Sequence, residues 1–313
     1  MTNPRSSAQP DVSVVILNWN TRDLLLECLR VVEANTDGLA VEVLVVDNAS
    51  TDDSVASVRQ GFPHIRVVES AANLGFAGGN NLGAREASGR YILLLNTDAF
   101  LRPGTLGRLV GLLDANPGAG LCGARLLNAD GSFQASHTAF PTLTREFLIL
   151  SGLGRLLFGR HFPSQGPGLA SGPRQVDYVE GACLLLRPEA YWQVGGLDAG
   201  FFMYAEEVDL CMTLRRAGWS VWYHPEAEVV HLGGASSAER KPEREGDLYV
   251  SRVRFFNKHY GPIAARLLTG QIYLLTALKN LVHHGLRLLT GGRRGRQVIS
   301  LDRLAAKLRA ARS

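Results

Sequence analysis

Cysteine is sparse and unpaired in this chain. Cys28, Cys122, Cys183 and Cys211 lie far apart in apolar contexts, with no CxxC among them. They read as reduced core thiols, so a cytosolic protein is expected. Long apolar runs are also missing: the polar start MTNPRSSAQPD leads into VSVVIL, too short for a signal peptide or a membrane span. Neither an internal repeat nor a low-complexity tract interrupts the sequence. The GxGxxG fingerprint is absent, and the glycines of GFAGGNN fall in the third strand–helix unit rather than the first, which argues against a nicotinamide or flavin enzyme. No GxxxxGK[ST] phosphate loop occurs either. Finally, the body lacks a basic excess. The net charge is +4, but residues 287–313 hold eight Lys/Arg and one Asp, so the tail carries +7 and the rest −3. Such a body is not expected to coat nucleic acid. The tail either meets a local anionic partner or is simply solvated.

What is present is ample core. Of 313 residues 46% are hydrophobic and 20% charged, enough for one large α/β domain with appendages, or for two domains. Val12 to Leu17, Val41 to Val46, Ile65 to Val68 and Tyr91 to Leu95 are short apolar runs of the buried parallel-strand kind. Helical patterns separate them. Thr21 is placed to cap a helix through Val32, with Leu24, Leu25, Cys28 and Leu29 inward, and Ser50 or Thr51 to cap the next. NLGFAGGNNLGAREASG is expected to open as a glycine-rich loop and continue as a helix. This alternation predicts a doubly wound, mostly parallel sheet with helices on both faces, which binds ligands at the carboxyl ends of its strands. Those ends carry Asn18, Asp47, Asn73 and Asn96-Thr97-Asp98.

Further on, Arg102-Pro103-Gly104 starts a helix and a strand lies near Gly120 to Leu126. Ala135 to Gln175 changes character, with Pro, Gly and Ser throughout and one possible helix around 143–158. It reads as a surface insertion suited to acceptor recognition or to a membrane. Strands follow at Val176–Val179, Cys183–Leu186, Trp219–Tyr223 and Ala227–His231, with a helix from Pro188 and another ending near Tyr260. Ile263 to Thr290 is a long amphipathic or apolar helix whose uncharged core, Leu267 to Leu278, falls short of the ~20 residues that cross a bilayer. With the basic tail behind it, it suits an in-plane helix on an anionic membrane; a packing helix or a dimer contact is the alternative.

Phe201 to Trp219, FFMYAEEVDLCMTLRRAGW, sets three carboxylates where an aromatic segment becomes a helix. Glu207, Leu210, Cys211 and Leu214 follow one helix face, so Glu207 is expected on the buried stripe and Asp209 nearer Met212, Thr213 and Arg216. A carboxylate there is costly to bury unless paired or used. As ordinary first-turn acids, all three would instead serve the helix dipole.

SVVILNWN, VVDNASTDDS, NLGFAGGNN, YILLLNTDA, GACLLLRPEAYWQVGGLDAGFFMYAEEVDLCMTLRRAGW and VVHLGG occur in this order, from about Val12 to Gly234. Together they resemble glycosyltransferase family 2, and within it the rhamnosyltransferase-like branch. The resemblance implies a Rossmann-like GT-A fold, inversion at the anomeric carbon, and a nucleotide-diphosphate sugar held with Mg²⁺ or Mn²⁺. It sets Asp47 at the base or ribose, Asn73 and Gly75 along the nucleotide, and Asn96-Thr97-Asp98 at the DxD position. Only Asp98 of that triplet is acidic, so His231 of VVHLGG is the expected second metal ligand. The EEVD stretch matches the family's base motif, with Glu207 where an Asp is usual; Glu206 is the rival base, and Asp209 is the further catalytic candidate. Gly181 and Ala182 would line the acceptor side.

The implied partners are a donor such as dTDP-rhamnose or a UDP-sugar and a saccharide acceptor, lipid-linked, at the inner face of the cell membrane. An oligomer is compatible. The chain is expected to divide into a disordered start (1–10), a GT-A domain (11–260, nucleotide-binding half 11–126 and acceptor-binding half 127–260) and an amphipathic, basic helical extension (261–313). A nucleotidyltransferase would carry a basic activation loop near its start, which SVVILNWNTRD lacks. A non-catalytic nucleotide- or glycan-binding homologue would have no reason to keep Asp98, Glu207 and His231 together.

Overall fold

A computed structural model describes residues 9–168, 172–233, 241–289 and 299–310. In chain order the elements are β1 (Val12–Asn18), α1 (Arg22–Ala34), β2 (Val41–Asp47), α2 (Ser54–Gly61), β3 (Arg66–Glu69), α3 (Gly75–Glu86), β4 (Tyr91–Asn96), β5 (Ala99–Leu101), α4 (Thr105–Ala115) and β6 (Ala119–Leu127). There follow β7 (His137–Thr138), α5 (Leu143–Ser151), α6 (Leu153–Phe158), β8 (Arg174–Gln175), β9 (Tyr178–Val179), β10 (Cys183–Leu186), α7 (Pro188–Gln193), α8 (Glu206–Arg216), β11 (Ser220–His231), α9 (Lys241–Leu289) and α10 (Leu301–Ala310).

The main sheet runs β3-β2-β1-β4-β10-β6-β11-β5, with β8 on β11. The first four strands are parallel, as their two-sided apolar runs require, and β1, β2 and β4 bury Val14, Ile16, Val45, Leu93 and Leu95 among a core cluster on one face. Val15, Leu44, Val46, Ile92 and Leu94 fill the other. β10 is antiparallel to both neighbours, so its start lies at the edge where β4 ends. The sheet is therefore mixed but mostly parallel, the expected α/β class.

Several local expectations change. The glycine-rich stretch is helix rather than loop from Gly75 onward. A Cβ on Gly79 would stand 2.3 Å from Leu17 and one on Gly83 2.4 Å from Val15. These glycines let α3 lie close on β1 and β2, which outweighs their poor helix propensity. α2 starts after Asp53, not Ser50 or Thr51, and the Asp52 carboxylate accepts from the Ser54 amide at 3.1 Å. The insertion helix breaks at Gly152, with φ of 79°, into α5 and α6. The last two expected strands fuse into β11, whose register against β6 slips between His224 and Glu228. Within α9, Gly261 at φ 84° followed by Pro262 breaks the helix where its first segment was expected to end.

The chain divides into two compact units. One comprises Met1–Phe140, Ser164–Phe202 and Glu206–Ser236, and holds the sheet. The other comprises Pro141–Pro163, Met203–Ala205 and Ser237–Ser313. Within the second, Arg252 on α9 meets the buried Glu146 of α5 at 2.8 Å, and burial raises that carboxyl's pKa against the opposing pull of the arginine. Residues 1–8 of the expected disordered start, Gly234, and Arg293, Arg294 and Arg296 of the basic tail lie outside the described residues.

Candidate active site

β1, β2 and β4 end in register, with Asn18 beside Asp47 and Leu17 beside Asn96, so their polar last residues meet at one sheet edge. There they bind one another. The buried Asn18 donates from Nδ2 to Asp47 Oδ1 and to Ser50 Oγ, both at 3.1 Å. Asp47 Oδ2 accepts from the Ser50 amide at 3.0 Å. Thr21 Oγ1 donates to Asn18 Oδ1 at 2.8 Å and lies 3.0 Å from Thr97 Oγ1, instead of capping α1. Buried Asn48 does similar work for the next loop, bonding Asn73 Oδ1 at 2.9 Å, the Gly75 carbonyl at 3.3 Å and the Leu74 amide at 2.8 Å. Thr21, Asn48 and Ser50 were not anticipated as site residues. Their signal was present, since each is a polar residue within three positions of a strand's carboxyl end.

Gly75 begins α3 with φ of 71°, and a Cβ there would lie 2.5 Å from the Phe202 carbonyl oxygen. That same oxygen accepts from the Phe76 amide at 2.8 Å. Only glycine fits so close an approach in the left-handed region. Asn81, on the same helix, accepts from Tyr191 Oη at 2.6 Å and the Leu197 amide at 3.0 Å, and donates to the Leu197 carbonyl at 2.7 Å. The GFAGGNN motif thus fastens α3 to the loop that leads towards α8.

Past β4 the chain turns sharply, and the short β5 pairs antiparallel with the end of β11, setting Ala99 opposite His231. Asp98 is buried, and its Oδ1 lies 3.4 Å from His231 Nε2. Two donor atoms of one octahedral Mg²⁺ or Mn²⁺ ion, each bonded at ~2.0–2.1 Å, sit ~3 Å apart, so this oxygen–nitrogen pair fits a shared ion. Among the described residues no cluster of three or more His, Cys, Asp or Glu could hold a metal, so an ion bound by this pair would complete its shell with neutral oxygens, waters or a bound diphosphate.

Asn96 N donates to the Ala182 carbonyl at 3.1 Å, which brings the Glu180–Ala182 segment to the edge where Asp98 lies. Of the pair expected to line an acceptor, Gly181 opens towards Glu207, whose Cβ is 3.6 Å from the position a Gly181 Cβ would take. The Ala182 side chain instead packs into the core.

The first turn of α8 also departs from the helix-face expectation. Leu210, Cys211 and Leu214 are buried as the stripe requires, but Glu206 and Asp209 are buried more deeply than Glu207. Val208 and Met212 are buried too, so the turn is covered on more than one side. Tyr204 and Ala205, immediately before it, are both left-handed, with φ of 70° and 66°. Such strain at non-glycine residues persists only where the surroundings over-determine it, and it clusters at functional sites. Burial, the Glu207 charge and then Asp209 hold the Glu206 carboxyl well above the usual range, and its Oε2 has no hydrogen-bond partner. Glu207 is pushed up to about 7 by burial, partly offset by its own and the Val208 backbone amides. A carboxyl in that range exchanges protons near neutral pH.

A family model described as "Glycosyl transferase family 2" matches residues 13–195, more than half of the chain. The chain belongs to glycosyl transferase family 2. Within the family it is 33% identical over 209 residues to the N-acetylglucosaminyl-diphospho-decaprenol L-rhamnosyltransferase of Mycobacterium tuberculosis, covering 61% of this chain and 66% of that protein. The match thus spans just under two thirds of that relative's length. It is 27% identical over 231 residues to Rhamnosyltransferase WbbL of Escherichia coli, covering 70% of this chain and 83% of the relative. The mannosyltransferase PcManGT from Pyrobaculum calidifontis, solved with GDP-Man and Mn²⁺, shares the fold at a TM-score of 0.58 and 17% identity, covering 98% of this chain and 87% of that one. The family 2 fold brings together Asn18, Asp47 and Thr97 as one bonded group, Asn73 and Gly75 as a second, Asp98 with His231, and Gly181 with Glu207.

Proposed function

We propose that this family 2 protein is an inverting glycosyltransferase that uses a nucleotide-diphosphate sugar, with L-rhamnose from dTDP-rhamnose as the donor, to extend a lipid-linked saccharide. The observation that carries the reading is the position of Glu207, beside the open backbone of Gly181 and at the edge that also carries Asp98 and His231, where burial raises its carboxyl's pKa. Glu207 takes the proton of an acceptor hydroxyl as that oxygen bonds to the anomeric carbon and the bond to the diphosphate breaks. Attack opposite the leaving group inverts the centre. Glu206, one residue earlier, and Asp209 are both buried in the same turn and are the alternative bases. Asp98 and His231 would hold a divalent cation, which when bound neutralises charge developing on the departing diphosphate. Asn18, Asp47, Asn73, Gly75, Asn96 and Thr97 form the nucleotide side, with residues 11–126 as the donor half and 127–260 as the acceptor half.

The second unit supports a place on the inner face of the membrane. In the later part of α9, Leu268, Ile272 and Leu275 are buried while Ile263, Leu267, Leu274, Leu278 and Leu281 form an exposed stripe on another face. Leu156, Leu157 and Phe158 of α6 are exposed as well. Among the described residues no helix is long and apolar enough to cross a membrane. An exposed apolar stripe followed by a tail of charge +7 suits an anionic lipid surface, with α9 lying in its plane. The full-length I263E/L267E/L274E variant should then lose sedimentation with phosphatidylglycerol vesicles; undiminished sedimentation rejects this anchor.

The donor is tested by thermal stabilisation with dTDP, UDP and GDP, each with and without Mn²⁺. A ligand at 100 times its Kd adds ~2.7 kcal/mol. Metal-dependent preference for dTDP is expected. Preference for UDP would replace the donor, and no response to any of the three would overturn the reading.

A further inference from the structure

After β6 the chain makes a tight hairpin, Asn128-Ala129-Asp130-Gly131-Ser132. The Gly131 amide donates to the Asn128 carbonyl at 2.9 Å, the Asn128 amide to the Ser132 carbonyl at 2.8 Å, and the Asp130 carboxylate accepts from the Ser132 amide at 2.9 Å. The returning strand is clamped by the Gln134 amide on the Leu126 carbonyl at 2.9 Å. Because β6 pairs in parallel with β11 and sets Leu127 opposite Val230, this return delivers the Gln134 side chain beside His231.

The hydrogen bonds fix which way that side chain faces. Asn128 Nδ2 donates to Ser132 Oγ at 2.9 Å and to the Phe133 carbonyl at 3.5 Å, so Asn128 Oδ1 must accept. Gln134 Nε2 donates to that oxygen at 3.1 Å and to the His231 main-chain carbonyl at 3.0 Å. A carbonyl oxygen can only accept, so reversing the Gln134 amide would set two acceptors against each other. Gln134 Oε1 therefore faces His231 Nδ1, at 2.7 Å, and that nitrogen carries the hydrogen. In a neutral ring the Nε2 lone pair is then left pointing towards Asp98 Oδ1, 3.4 Å away. Two lone pairs facing at that distance repel unless a proton or a metal cation lies between them, and the ion takes the place of the proton when it binds.

We propose that Gln134 is a positioning residue for cation binding, holding His231 as the Nδ1–H tautomer with its Nε2 lone pair turned to the ion shared with Asp98. Partners that donate or accept at the far nitrogen of a metal-bound imidazole fix its tautomer and its orientation, and removing them commonly weakens metal binding 10–100-fold. The inference rests on the reading of Asp98 and His231 as the metal pair.

Mn²⁺ binding to the full chain, followed by electron paramagnetic resonance, tests it in wild type, Q134M, H231A and the double variant. Methionine keeps the length of the side chain and removes the acceptor. Q134M should weaken Mn²⁺ binding roughly 10-fold or more and have no further effect once His231 is alanine. Undiminished Mn²⁺ binding in Q134M, where H231A has lost it, overturns the role of Gln134 alone. An equal additional loss in the H231A background overturns it as well, because Gln134 would then act by another route. Wild-type Mn²⁺ affinity in H231A removes the metal pair itself. Should Q134M fail to fold, nitrogen-15 NMR of metal-free wild type decides: the hydrogen on Nδ1 of His231 is expected, and a hydrogen on Nε2 with none on Nδ1 contradicts the proposal.

Discussion

The two ends of the candidate site treat buried polarity in opposite ways. On the side proposed to take the donor, the Asn18 and Asn48 side chains, both Asp47 carboxylate oxygens, and Ser50 and Thr21 are bonded to one another or to backbone. On the other side, Glu206 is buried with an oxygen that has no hydrogen-bond partner, burial raises the Glu207 pKa to about 7, and two left-handed residues precede them. One region has its polar side chains already paired with one another. The other keeps unsatisfied proton affinity, which folding tolerates because the surrounding packing is strong enough to hold it. A binding surface gains from the first arrangement, and proton transfer needs the second.

The contrast predicts which substitutions harm chemistry and which harm the fold. E207Q should give the largest effect, a ~10²–10⁴-fold loss of turnover, with thermal stabilisation by nucleotide retained; E206Q should lose far less. If E206Q proves the worse variant, the base moves one residue back. In wild type, kcat/KM should rise with pH through about 7, since the base must be unprotonated and the Glu207 pKa lies there. A limb near ordinary carboxylate values would show that Glu207 is not the base.

On the donor side the expected losses are in stability. G75A forces a side chain into a left-handed position against the Phe202 carbonyl and should cost about 2–4 kcal/mol. N48A leaves the Leu74 amide without its acceptor and should cost about 1–3 kcal/mol. Chemical denaturation measures both. If either variant kept full stability while losing turnover, the division between the two regions would be wrong.

The smallest effect is a slope. Both glutamates have folded pKa values above their ordinary 4.5. Between that value and about 7 the unfolded chain binds fewer protons than the folded one, so stability is fully present at low pH and falls as pH rises. E206Q should flatten this decline in thermal midpoint. An equally steep decline in E206Q would place the retained protons elsewhere.

The sequence made the strands legible because buried parallel strands have little freedom in composition: Val12–Asn18 and Val41–Asp47 were recognisable as β-branched runs closed by polar residues. The pairing of Asp98 with His231 is a different matter. It depends on β5, three residues long with no periodicity of its own, and only motif order pointed to it. Glycine propensity misled at α3, where close packing on Leu17 and Val15 determined the outcome. Periodicity placed Leu210, Cys211 and Leu214 inward but failed in the first turn of α8, since a helix covered on several sides has no single buried stripe. Gln134 gave no signal at all, because a hairpin and a sheet register join it to a residue 97 positions later.

The slip in β11 has a bearing on how such a protein changes over generations. Pro225, Glu226 and Ala227 have no partners on β6, while the residues before them pair with β6 and β8 and those after them with β6 and β5. One strand therefore pairs as two planks joined by a three-residue hinge that β6 does not hold. Residues added or lost in that hinge would change the phase of Val229–His231 against Ala99 without disturbing Trp222 and Tyr223 in their own pairing. A small insertion or deletion there would thus retune the His231 end while Trp222 and Tyr223 keep their pairing.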